Sequence, residues 1–216
     1  MEGVEQLYNF DRKELEESII SKFEVSIDEA KSFNLGELMS GNSISYIEPG
    51  RYIKLIVNGE LMMSDTPFEQ RTNMSFVCSA KGDVMIAGLG VGLILHNIED
   101  KVYKGEVTSI TIYEKYQSVI DLVSPQFSNL PITYVCEDIL TYKPSSNEKY
   151  DTIYFDIWPT VDYEKNLPEI RMLHNRWKSH KKSKDSWMNS WMKEYMQNKR
   201  RKYKYEDSRY GNIKLW

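Results

Sequence analysis

Ten residues, Asp83 to Gly92, carry an apolar stretch, Val84-Met85-Ile86-Ala87, straight into glycines at every second position, Gly88, Gly90 and Gly92. Glycines placed between a buried strand and a helix turn the chain sharply and let backbone approach a ligand closely, because they accept angles closed to other residues. Such a turn also occurs for packing alone, so its meaning depends on the residues downstream of it. There the same pattern repeats. The sequence predicts a strand over Asp83 to Ala87 and a helix over Gly90 to Asn97. A β-branched strand, Ser109 to Tyr113, comes next, and then a helix, Tyr116 to Val123, closed by Pro125. Ile132 to Cys136 and Thr152 to Phe155 are two more strands. Apolar runs alternating with helices specify a parallel sheet with right-handed crossovers, whose ligands lie beyond the carboxyl ends of its strands.

Upstream, Leu15, Ile19, Ile20 and Phe23 fall on one face if Asp11 to Phe23 is helical, and Ser26-Ile27-Asp28-Glu29 has the form of a capping box opening a second helix. Tyr52 to Val57 and Glu60 to Met63 read as strands joined by Asn58-Gly59, the pair best suited to the positive φ angles of a tight hairpin. Past Pro159 no further buried strand is evident, although Ile213 to Trp216 has the makings of a short edge. The segment reads instead as two basic helices, the second placing Trp187, Met188, Trp191, Met192, Tyr195 and Met196 on one stripe. The expected divisions are residues 1–75, N-terminal helices and β-hairpin; 76–165, a nucleotide-binding core; and 166–216, a basic, Trp-rich helical tail.

Charge is distributed unevenly. Arg171 to Tyr205 holds twelve Lys/Arg against Asp185 and Glu194, a local charge of +10, which leaves −14 on the rest of a chain whose total is −4. Composition otherwise excludes the extremes: 41% hydrophobic and 28% charged residues over 216 positions suit a globular protein with one sizeable core. The longest apolar run, Val84 to Leu95, is too short to span a bilayer, and the acidic N-terminus has the wrong chemistry for a secretory signal, so a cytoplasmic protein without membrane partners is expected. Cys78 and Cys136 and three scattered histidines assemble neither a disulfide framework nor a metal cluster, and no metal site is expected.

The acids at the strand ends give the glycine turn its meaning. Glu114 closes the second strand of the repeat, 22 residues after Gly92, where a carboxylate can accept both hydroxyl hydrogens of a ribose. Glu137-Asp138 closes the third, and Ile139 supplies an apolar wall beside an acceptor, a setting for an adenine ring. Asp156 closes the fourth, in Tyr154-Phe155-Asp156-Ile157-Trp158-Pro159, and an acid there projects into the same crevice. The G-x-G-x-G spacing, without other dinucleotide marks, favours a nucleoside over NAD.

With these motifs the chain resembles the class I S-adenosylmethionine-dependent methyltransferases, and within them the spermidine synthase-like group, over roughly Tyr52 to Pro159. Gly59 to Glu69 is similar to the strand and acidic loop that precede the nucleotide fold in polyamine synthases. The resemblance implies an α/β, Rossmann-like parallel sheet with an N-terminal helical/β-hairpin extension and an atypical basic, helical C-terminal segment. It implies S-adenosylmethionine, or its decarboxylated form, as cofactor. Gly88, Leu89, Gly90 and Gly92 would line its amino acid part, Glu114 with Lys115 its ribose, and Asp138 with Ile139 its adenine. Asp156 would face the reacting centre as the catalytic acid or base, with Asp65, Glu69 and Trp158 against a small amine or cationic substrate. Pairing of two copies through the N-terminal hairpin is also implied.

Two departures decide among reactions. Polyamine synthases carry an acid before the last glycine, where this chain has Val91, and an Asp-Ser-x-Asp-Pro stretch where it has Asp156 to Thr160, so methyl transfer is expected over aminopropyl transfer. For the cationic tail, an amphipathic helix packed on the acidic core is the preferred reading and a nucleic-acid surface the lesser one. A nucleic-acid methyltransferase and a non-catalytic nucleoside-binding protein stand as alternatives.

Overall fold

The computed structural model describes residues 3–40 and 45–210. Two sheets organise them. The first is antiparallel, in the order β1 (Arg12–Leu15), β2 (Ser18–Val25), β3 (Gly50–Val57), β4 (Glu60–Ser64). Asn58 and Gly59 take φ of 53° and 79°, the paired positive angles that fold β3 back onto β4 as anticipated. Between β2 and β3 lies α1 (Ile27–Met39), opened by the capping box: Ser26 Oγ accepts the Glu29 amide and Glu29 reaches back to the Ser26 amide.

The second sheet is wholly parallel, with strand order β7-β6-β5-β8-β9. After α2 (Pro67–Thr72) and α3 (Met74–Ser79), the chain runs β5 (Gly82–Ala87), α4 (Leu93–Tyr103), β6 (Val107–Glu114), α5 (Gln117–Val123), β7 (Ile132–Cys136), β8 (Thr152–Phe155), α6 (Tyr163–Trp177), β9 (Trp187–Ser190) and α7 (Lys193–Tyr210). Val84 to Ala87 in β5 and every residue of β8 are buried, as central strands covered on both faces must be. Strands are added outward from β5 first on one side and then, with β8, on the other. That reversal opens a crevice at the carboxyl ends of β5 and β8, the usual ligand position in such sheets. The glycine turn sits there, with Gly88, Gly90 and Gly92 all at positive φ, and α4 begins only at Leu93.

Two predicted helical regions are corrected. Asp11 to Phe23 is a β-hairpin, in which β2 pairs with β3 from Ser18↔Val57 to Val25↔Gly50. Residues four apart share a face in a strand as well as in a helix, so Leu15, Ile19 and Phe23 fit both periods. Pairing with β3 and the β-branched Ile19 and Ile20 favour the strand. The tail is not purely helical either: Trp187 to Ser190 form β9, which extends the parallel sheet beside β8. Met192, at φ 52°, ends this run and turns the chain into α7. The aromatic stripe is therefore divided, Trp187 packing on Phe76 and Tyr154 while Trp191 meets Phe68 and donates from Nε1 to Thr72 Oγ1 at 3.0 Å. The suggested edge strand at Ile213 to Trp216 lies outside the described residues.

The two sheets are tied together at the glycine turn. Tyr8 Oη donates to the Val91 carbonyl at 2.9 Å, and Ser18 Oγ meets Ser118 Oγ of α5 at 2.8 Å, both buried. Asp65, directly after β4, is fully buried. Its Oδ2 accepts the amides of Val4 and Glu5, and its Oδ1 accepts the amide of Ile53. It pins the N-terminal segment to β3.

Candidate active site

A cavity of about 200 Å³ opens at the carboxyl ends of β5, β6, β7 and β8. Of the residues singled out from sequence, Gly88, Leu89, Gly90, Glu114, Lys115, Asp138, Ile139, Asp156, Glu69 and Trp158 all line it. Two do not. Gly92 stands behind the cavity wall as the N-cap of α4, where a Cβ would lie 2.3 Å from the Phe127 ring. Asp65 is corrected from a substrate residue to a structural anchor, since its oxygens are taken by three backbone amides and no part of it reaches the cavity.

The glycines have reasons of their own. A Cβ on Gly88 would sit 2.0 Å from the carbonyl oxygen of Asp156, because the end of β8 crosses close under the turn. One on Gly90 would meet Met63 Sδ at 1.7 Å. That sulfur accepts the Val91 amide at 3.2 Å, so β4 covers one side of the turn. Leu55, Val57, Met62 and Met63 thus form an apolar wall that the N-terminal sheet contributes.

Glu114 is the hinge between the turn and the next strand. Its Oε2 accepts the Leu89 amide and its Oε1 the Tyr116 amide, each at 3.0 Å. Burial raises its pKa, and those backbone amides pull in the opposite direction. A carboxylate has about four acceptor positions, so the Leu89, Tyr116 and Lys115 amides leave acceptor capacity at the cavity for a hydroxyl. Asp138 is more exposed: Oδ1 accepts the Leu140 amide at 2.9 Å, and Oδ2 pairs with Lys115 Nζ at 3.3 Å. The turn it caps, 138–141, presents Ile139 to the cavity.

On the opposite side two carboxyls come together. Burial pushes Asp156 up to about 7, while a hydrogen bond from the Asn73 side chain opposes the shift. Glu69, in α2, is pushed up to about 8 by burial and then by the charge of Asp156. Asn73 connects this pair to the core, accepting from Tyr154 Oη at 2.7 Å and donating to the Glu69 carbonyl at 3.1 Å. Two acids held near neutrality in one pocket can keep one proton between them and accept another. Trp158 completes the wall, fixed by a 2.6 Å hydrogen bond from Nε1 to Glu169.

Sequence reasoning missed Asn73, Met63 and Arg176. The last belongs to the basic segment, yet its Nη1 donates to the carbonyls of Ile139, Leu140 and Tyr142 at 2.9–3.0 Å and so holds the 139–142 turn in shape. Only its position in the basic run marked it, and that gave no hint of a partner 34 to 37 residues upstream.

Strand order, strand direction and the glycine turn define a Rossmann-like α/β protein whose acids surround a cleft at the switch point. No protein-family model matches the chain, and none of the curated proteins matches it in sequence. Among solved structures it is similar to an S-adenosylmethionine-dependent methyltransferase from Leishmania major, with 11% identity and a TM-score of 0.43 over 56% of this chain and 48% of that one. It is similar also to DhpI in complex with SAM and HEP (12%, TM-score 0.44, 57% and 55%). A third is the N-methyltransferase NodS from Bradyrhizobium japonicum (15%, TM-score 0.37, 51% and 57%). The chain spans about half the length of the solved structures it matches. No helix among the described residues is long and apolar enough to cross a membrane.

Proposed function

We propose that this protein is an S-adenosylmethionine-dependent methyltransferase, of the spermidine synthase-like kind, acting on a small amine or cationic acceptor. The observation that carries the reading is the division of one cavity into two chemistries. Glu114 and the 138–139 turn stand at the ends of β6 and β7, Glu69 and Asp156 at α2 and the end of β8, and the glycine turn after β5 lies between them.

The donor set suits an adenosyl group. Glu114 retains acceptor capacity for a ribose hydroxyl, Asp138 and Ile139 offer a polar edge and an apolar face to the base, and Gly88, Leu89 and Gly90 bring backbone close to the remainder. Bound there, S-adenosylmethionine would supply a methyl carbon activated by its sulfonium, open to in-line attack by an acceptor lone pair as the C–S bond breaks and S-adenosylhomocysteine leaves. The chain's residues hold the acceptor for that displacement. Asp156 and Glu69 attract a cationic amine, orient it by charge-assisted hydrogen bonds and receive the proton that leaves as its nitrogen becomes the nucleophile. Trp158 and Ile157 close the acceptor side with apolar surface, and the Trp158 ring can lie against a cation.

Calorimetric titration with S-adenosylmethionine, decarboxylated S-adenosylmethionine and S-adenosylhomocysteine, followed by mass spectrometry of amine mixtures, tests this. Binding of the first and third with methyl gain in an amine is expected. Preference for the decarboxylated form with aminopropyl gain would place the chain with the polyamine synthases instead, and the absence of binding by all three would refute the reading.

A further inference from the structure

A second cavity, of about 390 Å³, lies between α6 and α7, and its lining has no residue in common with the first. Four cations converge on it: Arg171 from α6, and Lys193, Arg200 and Arg201 from α7. Asn175 and Gln197 add amide donors, Leu167 and Ile170 form apolar patches, and no acid is among the lining residues. The helix pairing makes use of one of them, Arg200, which faces Glu164 of α6. Unscreened like charges facing one cleft repel, so the arrangement is held against an electrostatic cost that an anion would remove.

The partners inside the protein leave the cations undersatisfied. Arg200 Nε is buried with no hydrogen bond, and its acid neighbour, Glu164 Oε1, stands at 3.8 Å, too far to accept one. Lys193 Nζ has a long 3.4 Å contact to Asn189 Oδ1. At the back of the cleft His174 meets Ser190 Oγ through Nε2 at 2.9 Å and is kept neutral at physiological pH by burial, with the charge of Lys193 acting in the same direction and that of Glu194 opposing it. The space exceeds what one hydrated ion needs. Guanidinium groups around it match tetrahedral oxyanions, which take paired N–H donors from arginine.

We propose that the α6–α7 cleft is a phosphate-binding site, separate from the strand-end cavity, that holds a phosphate-bearing ligand through Arg171, Lys193, Arg200 and Arg201. Two sources share that chemistry, a small phosphorylated molecule and the backbone of a single-stranded nucleic acid. The proposal does not depend on the reaction assigned to the first cavity.

The test uses the full chain at low salt, with calorimetric titration by inorganic phosphate and fluorescence anisotropy of a labelled single-stranded RNA. Two variants each remove two positive charges: R171Q/R201Q, whose residues are exposed at the cleft, and K31Q/K104Q, exposed and away from it. The site predicts that R171Q/R201Q weakens binding by about tenfold or more while K31Q/K104Q stays within about twofold of wild type. Phosphate binding without RNA binding identifies a small phosphorylated ligand. RNA binding lost in R171Q/R201Q, with a shallower salt dependence, identifies a nucleic-acid backbone. Failure of both probes to bind, or equal weakening by the two variants, overturns the proposal.

Discussion

Glu69 and Asp156 face one cavity from α2 and from the end of β8, and the charge of Asp156 adds to burial in keeping Glu69 protonated up to about 8. This pairing gives that side of the cleft a reserve of proton-accepting capacity that neither acid would have alone in water.

Replacing Asp156 by Asn removes the proposed proton acceptor while preserving the shape and the Asn73 contact. We expect kcat to fall by about 100-fold or more, the size of a general-base contribution, with the dissociation constant of S-adenosylmethionine within about threefold of wild type. Steady-state kinetics and calorimetry on the same preparation check this. Equal turnover in the variant would remove Asp156 from the mechanism.

The same pair sets a pH dependence. Asp156 and Glu69 have folded-state values of about 7 and 8, above the unfolded carboxylic range near 4. Their contribution to stability is fully present below about pH 4 and is lost as pH rises through 7 to 8, because the folded state then holds more protons than the unfolded state. The melting temperature should decline between about pH 4 and pH 8 and level off above it, and the decline should be smaller in E69Q/D156N. Turnover should rise over the upper part of that interval, about pH 6 to 8, since the base form becomes available there.

Arg176→Ala should act at a distance. It removes three hydrogen bonds to the 139–142 turn, and we expect a loss of about 2 kcal/mol in stability together with weaker cofactor binding. Chemical denaturation and calorimetry report the two effects. Unchanged affinity would separate that turn from the cofactor side of the cleft.

Two glycines at positive φ should behave differently. Gly88→Ala adds a Cβ 2.0 Å from the Asp156 carbonyl oxygen and should cost at least about 3 kcal/mol. Gly59→Ala has open space around it and should cost about 1–2 kcal/mol, the backbone strain alone. Denaturation midpoints distinguish them.

The parallel sheet was legible because its central strands are short apolar runs, Val84 to Ala87 ended by the glycine turn and Thr152 to Phe155 bounded by Asp151 and Asp156, a signal that local sequence carries by itself. The Asn58-Gly59 hairpin and the Ser26 to Glu29 capping box were legible for the same reason. The strands β2 and β9 were not. In β2 the large side chains recur four apart (Ile19 and Phe23), and Trp187 of β9 recurs with Trp191 just past its end, a spacing common to helix and strand, so pairing with β3 or β8 settles the matter from far away in sequence. At the site, the strand-end acids could be found because topology fixes where strand ends go. The role of Asp65 could not, because nothing near Ser64-Asp65-Thr66 foretells that Val4 and Glu5 will return to it. Asn73 and Arg176 likewise act through partners distant in the chain.

The central claim is that Glu114 and the glycine turn receive an adenosyl group. Calorimetric titration of S-adenosylmethionine into wild type and Glu114→Ala, with circular dichroism to confirm that both are folded, tests it most directly. One saturable site in wild type and at least about tenfold weaker binding in Glu114→Ala are predicted. No saturable binding by the wild-type chain, or equal affinity in the two proteins, would contradict it.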